Sequence, residues 1–176
     1  MRLRPARPDD LPRLLALHVA SWRANYRGIL PDAFLVQRVE AVLAARWTGA
    51  RLAQDRVRLL EDDDGTLAGF VVCEMRPAGP FVDNLHIAPG RTGQGLGEAL
   101  LGGLVAELRA EGHDRLSLEV LAENHRARRF YRRLGGVEGP ERDAVLWDGT
   151  PVRDCEVIWT SLDRLAEKPD AGTNAA

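Results

Sequence analysis

Residues 85–101 of the chain, LHIAPGRTGQGLGEALL, lead from a strand-like run into a helix-like run through a loop, and three of the five residues at 93–97 are glycine. The strand is expected at 81–89, and the helix from about 95 to 111. A glycine loop before a helix N-terminus favours an anion, because the first-turn amides are unpaired and the helix dipole adds about half a positive charge. The stretch therefore predicts a phosphate-binding loop.

Three kinds of phosphate ligand compete for this loop. A nucleoside-triphosphate loop requires a lysine before serine or threonine, and this stretch contains no lysine. A dinucleotide loop requires the spacing G-x-G-x-x-G, whereas counting from Gly93 or Gly95 places Glu98 or Leu100 at the third glycine position. The diphosphate of coenzyme A is the third candidate, and a glycine-rich turn without any ligand is the alternative.

The pattern along the whole chain predicts a mixed sheet rather than repeated βα units. Strand-like and helix-like runs follow the order β-α-α-β-β-β-α-β-α-β-β, with hairpin turns at 62–65 and 148–149. The predicted fold class is α/β, in the α+β sense, with a mostly antiparallel sheet of about seven strands flanked by about four helices. A single domain is expected over residues 1–162, followed by a polar, disordered tail at 163–176.

Composition argues against several classes of protein. The chain has 176 residues and a net charge of -2, which argues against a surface built for nucleic acid or anionic membrane. Its apolar runs are far shorter than the roughly 20 residues of a transmembrane helix, and its N-terminus resembles no signal peptide. The histidines and cysteines lack metal-ligand spacing, and Cys73 and Cys155 are expected to be buried free thiols. A cytoplasmic protein without a metal is predicted.

A second stretch, NHRARRFYRRLGG at 124–136, narrows the choice of ligand. Together with the glycine loop it closely resembles the GNAT superfamily of N-acetyltransferases, in which a strand of the type L-x-V-x-P leads into Q/R-x-x-G-x-G/A. The second signature of that family, N-x-x-A-x-x-F-Y-x-x-x-G, is matched by Asn124, Ala127, Phe130, Tyr131 and Gly135. The resemblance covers roughly residues 1–162, and it implies splayed central strands and acetyl-CoA as the ligand of the loop.

The sequence departs from the family pattern at two positions. The leading Gln or Arg falls on Thr92, and the phenylalanine that usually follows Leu-Gly is Gly136. Neither departure touches the amides at 93–98 that would hold the diphosphate. The cofactor-binding residues that the resemblance implies are Leu85, Ile87, Thr92, Gly93, Gln94, Gly95, Leu96, Gly97, Glu98, Asn124 and Tyr131.

Acetyl transfer also requires a proton donor for the departing thiolate. Tyr131 matches the tyrosine that the family places on the thiolate side, and its alternative role is packing on an amphipathic helix. Asn124 would bind the cofactor arm by the same resemblance. A helix N-cap is the other role for Asn124, and both can hold together.

Four side chains are candidates for the base that takes the proton of the amine. Asp83 lies on the strand before the glycine loop, and Glu119 lies out of phase with the apolar residues of LSLEVL. These two come first, ahead of Glu74 and His86. A solvated strand residue is the alternative interpretation for each of the four.

Trp22 and Tyr26 are the candidate contacts to the acceptor. They stand four residues apart in SWRANYRG, so a helix places them on one face. In the family that the chain resembles, this first helix lines the acceptor cleft. The alternative is that both residues belong to the ordinary core.

The resemblance implies an N-acetyltransferase that moves an acetyl group from acetyl-CoA directly to a primary amine of a small molecule or peptide. No cysteine stands in the motifs to form an acyl-enzyme. A non-catalytic acetyl-CoA sensor, a protein that binds NAD or ATP, and a transferase for a longer acyl-CoA are the alternatives. The acceptor is left open among polyamines, amino acids, antibiotics and protein N-termini. The oligomeric state is also left open, a homodimer included, and no nucleic-acid or membrane partner is expected.

Overall fold

The computed structural model describes residues 1–166, and its elements follow nearly the predicted order. The strands are β1 (Arg2–Pro5), β2 (Arg56–Glu61), β3 (Leu67–Arg76), β4 (Gly79–Ile87), β5 (Leu116–Leu121), β6 (Val137–Val145) and β7 (Pro151–Trp159). The helices are α1 (Leu11–Asn25), α2 (Val39–Arg46), α3 (Gly49–Gln54), α4 (Leu96–Ala110), α5 (His125–Arg133) and α6 (Asp163–Ala166). A turn of 3₁₀ helix precedes α1, and a π-helical turn, Phe34–Arg38, precedes α2.

Within the described residues, seven strands form one sheet in the order β1-β2-β3-β4-β5-β7-β6. Neighbouring strands are antiparallel except β4 and β5, which run parallel. This arrangement confirms the mixed, mostly antiparallel sheet that the sequence predicts. The parallel pairing joins Phe81 to Ser117 and Val82 to Leu118. Past these pairs the two strands diverge, as the predicted splaying requires.

A β-bulge in β4 stands where the divergence begins. Val72 of β3 lies opposite Asn84, and Cys73 lies opposite Val82, so Asp83 is the extra residue. A bulge bends the strand that contains it and increases its local twist. The strand therefore bends at the point where its pairing with β5 ends.

Two helical layers cover the two faces of the sheet. On one face α4 places an apolar stripe with helical spacing against the strands, with Leu100, Leu104 and Leu108 fully buried. On the other face α1 and α2 pack over the sheet through residues such as Leu14 and Leu43.

Helix α3 is an element that the sequence analysis left unassigned. It is short, and the hydroxyl of its N-cap Thr48 accepts a hydrogen bond from the backbone N–H of Arg51 at 3.2 Å. Cys73 and Cys155 are buried free thiols, as predicted. Residues 163–166 form α6, while the remainder of the expected tail, 167–176, lies outside the described residues. The domain boundary at residue 162 stays a prediction.

Candidate functional site

The diverging ends of β4 and β5 open a cleft of about 1180 Å³. One side, here called the glycine wall, consists of residues 91–98 and 123–133. The opposite side, here called the aromatic wall, consists of residues 22–29 and the hairpin residues 144–147. The predicted site residues line this cleft, except Gln94 and the candidate base Glu74. The fold thus brings together side chains from four separate segments of the sequence.

The glycine wall presents open backbone at the start of α4. Gly93 has a φ of +85° and Gly95 a φ of +75°, and a Cβ atom built on either glycine would meet no atom within 4 Å. Gly95 is the N-cap and has no side chain that could bond the first-turn amides. These amides and the positive end of the helix dipole therefore face open space, where an anion can approach closely.

Gly97 has a different role from the two glycines before it. A Cβ atom at this position would lie 3.1 Å from Cζ of Phe130, which is tighter than ordinary contact. The missing side chain lets α5 pack closely against the first turn of α4. Gly97 therefore serves packing between the two helices of the glycine wall.

Asn124 and Tyr131 both lie on α5 and line the cleft. The side-chain oxygen of Asn124 accepts a hydrogen bond from the backbone N–H of Ala127 at 3.1 Å, so the residue caps α5 and leaves its amide NH₂ for the cleft. The ring of Tyr131 packs edge-on against Phe130 and Trp159. Burial raises the pKa of the Tyr131 phenol, so the group stays protonated at neutral pH and can donate a proton.

Arginine side chains already engage the two leading candidates for the base. The Asp83 carboxylate accepts hydrogen bonds from Arg46, at 2.9 Å, and from Arg51. The Glu119 carboxylate accepts a hydrogen bond from Arg142. Both acids line the cleft, but arginine engages both oxygens of Asp83 and one oxygen of Glu119. The bulged Asp83 thereby ties α2 and α3 to β4.

The aromatic wall is a cluster of rings from distant segments. Trp22 packs edge-on against Tyr26, with ring centroids 4.9 Å apart, and lies 5.6 Å from the ring of Trp147 in the β6–β7 hairpin. Trp147 is 49% exposed, and the Arg46 guanidinium lies 3.7 Å from the centre of its ring. Arg38 also pairs with the neighbouring Asp148 at 3.0 Å. The tip of the hairpin is thus held against the π-helical turn and α2.

Sequence reasoning missed two residues of this site. Trp147 carries no motif, and the only signal for it was an aromatic side chain beside the turn residues Asp148 and Gly149. Arg46 lies on a helix that belongs to no signature. Their roles follow from contacts between segments about 100 residues apart, which a single sequence does not display.

His86, which the sequence analysis ranked behind the two acids, lies on β4 in the floor of the cleft. It is buried, and its Nδ1 lies 2.9 Å from Oγ of Ser21 on α1. Burial lowers the pKa of His86 to about 4. The ring is therefore neutral at pH 7, with one nitrogen able to accept a proton.

No helix among the described residues has the length and apolarity to cross a bilayer. The same residues contain no group of three or more acidic, histidine or cysteine side chains suited to a metal ion.

The chain matches a protein family whose description is "Acetyltransferase (GNAT) family", and the match covers residues 16–136. This match contains the glycine loop, all of α5 and most of α1.

Two proteins that are named as N-acetyltransferases are similar to this chain. Over 105 residues the chain is 30% identical to a candidate ribosomal protein bS18-alanine N-acetyltransferase of Bacillus subtilis, covering 60% of this chain and 68% of that protein. The crystal structure of the ribosomal-protein-S18-alanine N-acetyltransferase from Escherichia coli is similar with a TM-score of 0.63 and 25% identity, covering 89% of this chain and 91% of that one.

A further solved structure shows the same fold at lower identity. It is a PaiA N-acetyltransferase from Thermoplasma acidophilum in complex with coenzyme A, with a TM-score of 0.72 and 17% identity. The similarity covers 88% of this chain and 96% of that chain.

Proposed function

We propose that this chain, which belongs to the GNAT acetyltransferase family, transfers the acetyl group of acetyl-CoA to a primary amine of a peptide or small molecule. One observation carries the proposal: the uncapped N-terminus of α4, the open glycines before it and the protonated Tyr131 all face the same cleft. The acetyltransferase unit that we propose spans residues 1–162.

The glycine wall suits the phosphate end of acetyl-CoA. Backbone amides at 93–98 would hold the diphosphate, and the absence of Cβ atoms at Gly93 and Gly95 leaves room for its oxygens. Because this subsite consists of backbone, it depends little on which polar side chains flank it. Thr92 in place of the family's Gln or Arg is compatible with such a site.

The floor of the cleft suits the extended arm of the cofactor. β3 pairs with one edge of β4, where Val71 lies opposite Leu85 and Gly69 lies opposite Ile87. The other edge of β4 loses its partner strand where β5 diverges past Val82. Unpaired strand edges bind extended polar chains through main-chain hydrogen bonds, so the arm would lie along this edge as an added strand would.

Tyr131 would act on the leaving group. Its phenol is protonated at neutral pH, and no hydrogen bond joins it to another side chain or backbone group among residues 1–166. A thiolate that forms in a partly closed cleft gains more from this donor than a neutral thioester sulfur does. The donor therefore stabilises the transition state more than the bound ground state.

The aromatic wall would receive the acceptor. The ring of Trp147, which packs beside the buried Trp22, and the ring of Tyr26 offer apolar and π surface, and the nearby acids pair with arginine. Two of the similar proteins are named as alanine N-acetyltransferases of ribosomal protein S18. A peptide with an N-terminal alanine is therefore the first acceptor to test.

The test is a thiol-release assay with the purified chain and acetyl-CoA. The acceptors are an alanine-initiated peptide, the same peptide with a blocked N-terminus as matched control, a polyamine and free amino acids. We expect free thiol only with an unblocked amine, and an acetylated product by mass spectrometry. Binding of acetyl-CoA without turnover of any amine would identify a sensor, and faster turnover of butyryl-CoA would identify a longer acyl donor. Failure to bind acetyl-CoA would contradict the proposal entirely.

A further inference from the structure

His86 has a distinct position in the floor of the cleft. Its neighbours on β4, Leu85 and Ile87, pack toward the α4 face, so the imidazole projects to the opposite face, against α1. The residue is 7% exposed and lines the cleft between the two walls. The imidazole is therefore on the side of the sheet from which an acceptor held by the aromatic wall would approach.

Hydrogen bonds from α1 fix the orientation of this ring. The amide NH₂ of Asn25 donates to Oγ of Ser21 at 2.9 Å, and the same oxygen lies 2.9 Å from Nδ1 of His86. The Ser21–His86 hydrogen bond can run in either direction, and a role for His86 as proton acceptor requires the tautomer in which Nδ1–H donates to Oγ of Ser21, whose second lone pair accepts from Asn25. That tautomer leaves the lone pair of His86 on Nε2. No hydrogen bond within residues 1–166 engages Nε2, and it is not sealed away from the cleft.

Three other proton acceptors near this side of the cleft already have hydrogen-bond partners. Asp83 and Glu119 receive hydrogen bonds from arginine, as described above. The ring nitrogens of His18 lie 2.8 Å and 3.1 Å from the indole N–H groups of Trp22 and Trp47, and the residue is almost fully buried. Of the two buried histidines, His86 is the one with a ring nitrogen that no described hydrogen bond engages.

The surroundings of His86 keep it neutral. The rings of His18 and Phe70 pack against it, and Asp83 is the nearby charged group that favours the imidazolium form. Desolvation outweighs that charge and lowers the pKa of His86 to about 4. Such a weak base does not deprotonate a free ammonium ion. It can accept a proton from an amine nitrogen that becomes acidic as its bond to carbon forms.

We propose that Nε2 of His86 is the proton acceptor for the attacking amine, and that Ser21 positions the ring. This inference rests on the proposed acetyltransferase function. The amine lone pair forms the N–C bond to the thioester carbonyl carbon, and an N–H proton passes to Nε2. The C–S bond breaks with its electron pair on sulfur, which takes the proton of Tyr131. Water returns a proton to Tyr131 and removes one from His86, so an amine and a thioester yield an amide and a thiol.

The first test is the His86→Gln variant, with His113→Gln as the matched control outside the cleft. In single-turnover experiments with a reactive amine, we expect the rate of acetyl transfer to fall by about 100-fold in His86→Gln. Acetyl-CoA affinity should change by less than about threefold, and the His113→Gln control should react at the wild-type rate.

Chemical rescue separates a catalytic role from a structural one. Adding imidazole to His86→Ala should restore part of the lost rate of acetyl transfer. It should not raise the rate of the Tyr131→Phe variant. Ser21→Ala should lower kcat by about tenfold at unchanged acetyl-CoA affinity, because the ring then loses the hydrogen bond at Nδ1 that orients it. Acetyl-CoA binding by calorimetry confirms that each variant is folded.

Three outcomes overturn one or both of the proposals. If the wild-type chain binds acetyl-CoA but acetylates no amine, the acetyltransferase function fails and the role of His86 fails with it. If the wild type acetylates an amine and folded His86→Gln does so at an undiminished single-turnover rate, the role of His86 alone is wrong. A slow His86→Ala variant that imidazole does not accelerate also contradicts the role of His86.

Discussion

The two walls of the cleft use different parts of the chain. The glycine wall offers mainly backbone, namely the loop amides at 93–98 and the start of α4, from one continuous stretch. The aromatic wall offers side chains, and it joins Trp22 and Tyr26 of one segment to Trp147 of a hairpin more than 100 residues later. The arginines of the π-helical turn and α2 hold that hairpin in place.

This difference separates two kinds of recognition. A subsite made of backbone amides keeps its ligand when most side chains change, provided that the glycines remain. A wall made of side chains from distant segments changes its ligand with single substitutions. We therefore expect variants of the glycine wall to affect acetyl-CoA and variants of the aromatic wall to affect the acceptor.

The largest effect is expected from Gly93→Asn. Asparagine tolerates a positive φ better than other residues with a side chain, so the added group chiefly fills the space expected for the diphosphate. Acetyl-CoA affinity measured by calorimetry should fall by about 1,000-fold. The matched control is Gly65→Asn in the β2–β3 turn, where φ is also +85° and the Cβ position is open. Equal binding by both variants would show that the loop does not hold the ligand.

The next effect concerns Tyr131→Phe, which keeps the ring and its packing. Because the phenol is protonated and faces the cleft, kcat should fall by about 100-fold while acetyl-CoA affinity changes by less than about fivefold. Tyr26→Phe on the aromatic wall is the comparison, and it should act on the acceptor KM instead. An unchanged single-turnover rate in Tyr131→Phe would reduce this residue to a packing role.

A smaller effect is expected from Trp147→Ala. The ring is 49% exposed and flanks Trp22, so its removal takes apolar surface from the aromatic wall. The acceptor KM should rise by about tenfold, with acetyl-CoA affinity unchanged within about twofold. Val137→Ala, at the exposed other end of β6, is the control. A loss of acetyl-CoA affinity as large as the rise in acceptor KM would show that the two walls do not bind their ligands separately.

The smallest effect on ligand binding in the cleft is expected from substitutions in a buried ion cluster that lies outside the cleft. Arg4 donates to Asp10 at 2.8 Å and to Glu61 at 2.7 Å, and Arg13 bonds both acids. These arginines lower the pKa of Asp10 and of Glu61. A carboxylate with a lowered pKa in the folded state stabilises the protein above its unfolded pKa, and this stabilisation is lost as pH falls through the folded pKa.

Denaturant unfolding between pH 7 and pH 3 measures this contribution. The wild-type free energy of unfolding should decrease below about pH 4. Asp10→Asn should cost about 2 kcal/mol at pH 7 and flatten that decrease, while Asp63→Asn, on an exposed side chain, should do neither. Neither variant should alter acetyl-CoA affinity or acceptor KM. An identical pH dependence in Asp10→Asn and wild type would exclude the cluster as its source.

The sequence predicts the glycine wall better than the aromatic wall for a physical reason. Strand, loop and helix N-terminus are consecutive between residues 81 and 111, so local rules of turn and helix formation locate them. Asn124 and Tyr131 share one short helix in the same way. Gly97 is an instructive exception within that stretch, because its packing against Phe130 depends on how two helices meet.

Tertiary side-chain contacts account for what the sequence does not predict. The ion pairs of Asp83 join three separate elements, and the bond between Ser21 and His86 links residues 65 positions apart. Alternation along a strand identifies the face of the sheet on which a side chain lies. It does not identify the arginine that will form an ion pair with a carboxylate on that face. The sequence therefore favours Asp83 and Glu119 as bases without indicating that arginine pairs with both.

Hydrogen–deuterium exchange with saturating acetyl-CoA tests the division between the two walls most directly. The uncapped amides at 93–98 should exchange fast in the free protein, because they lack helical and side-chain partners. We predict that acetyl-CoA slows their exchange by at least about tenfold and leaves the hairpin tip at 146–149 unchanged. Binding without protection at 93–98, or with protection confined to the aromatic wall, would contradict the assignment of the glycine loop.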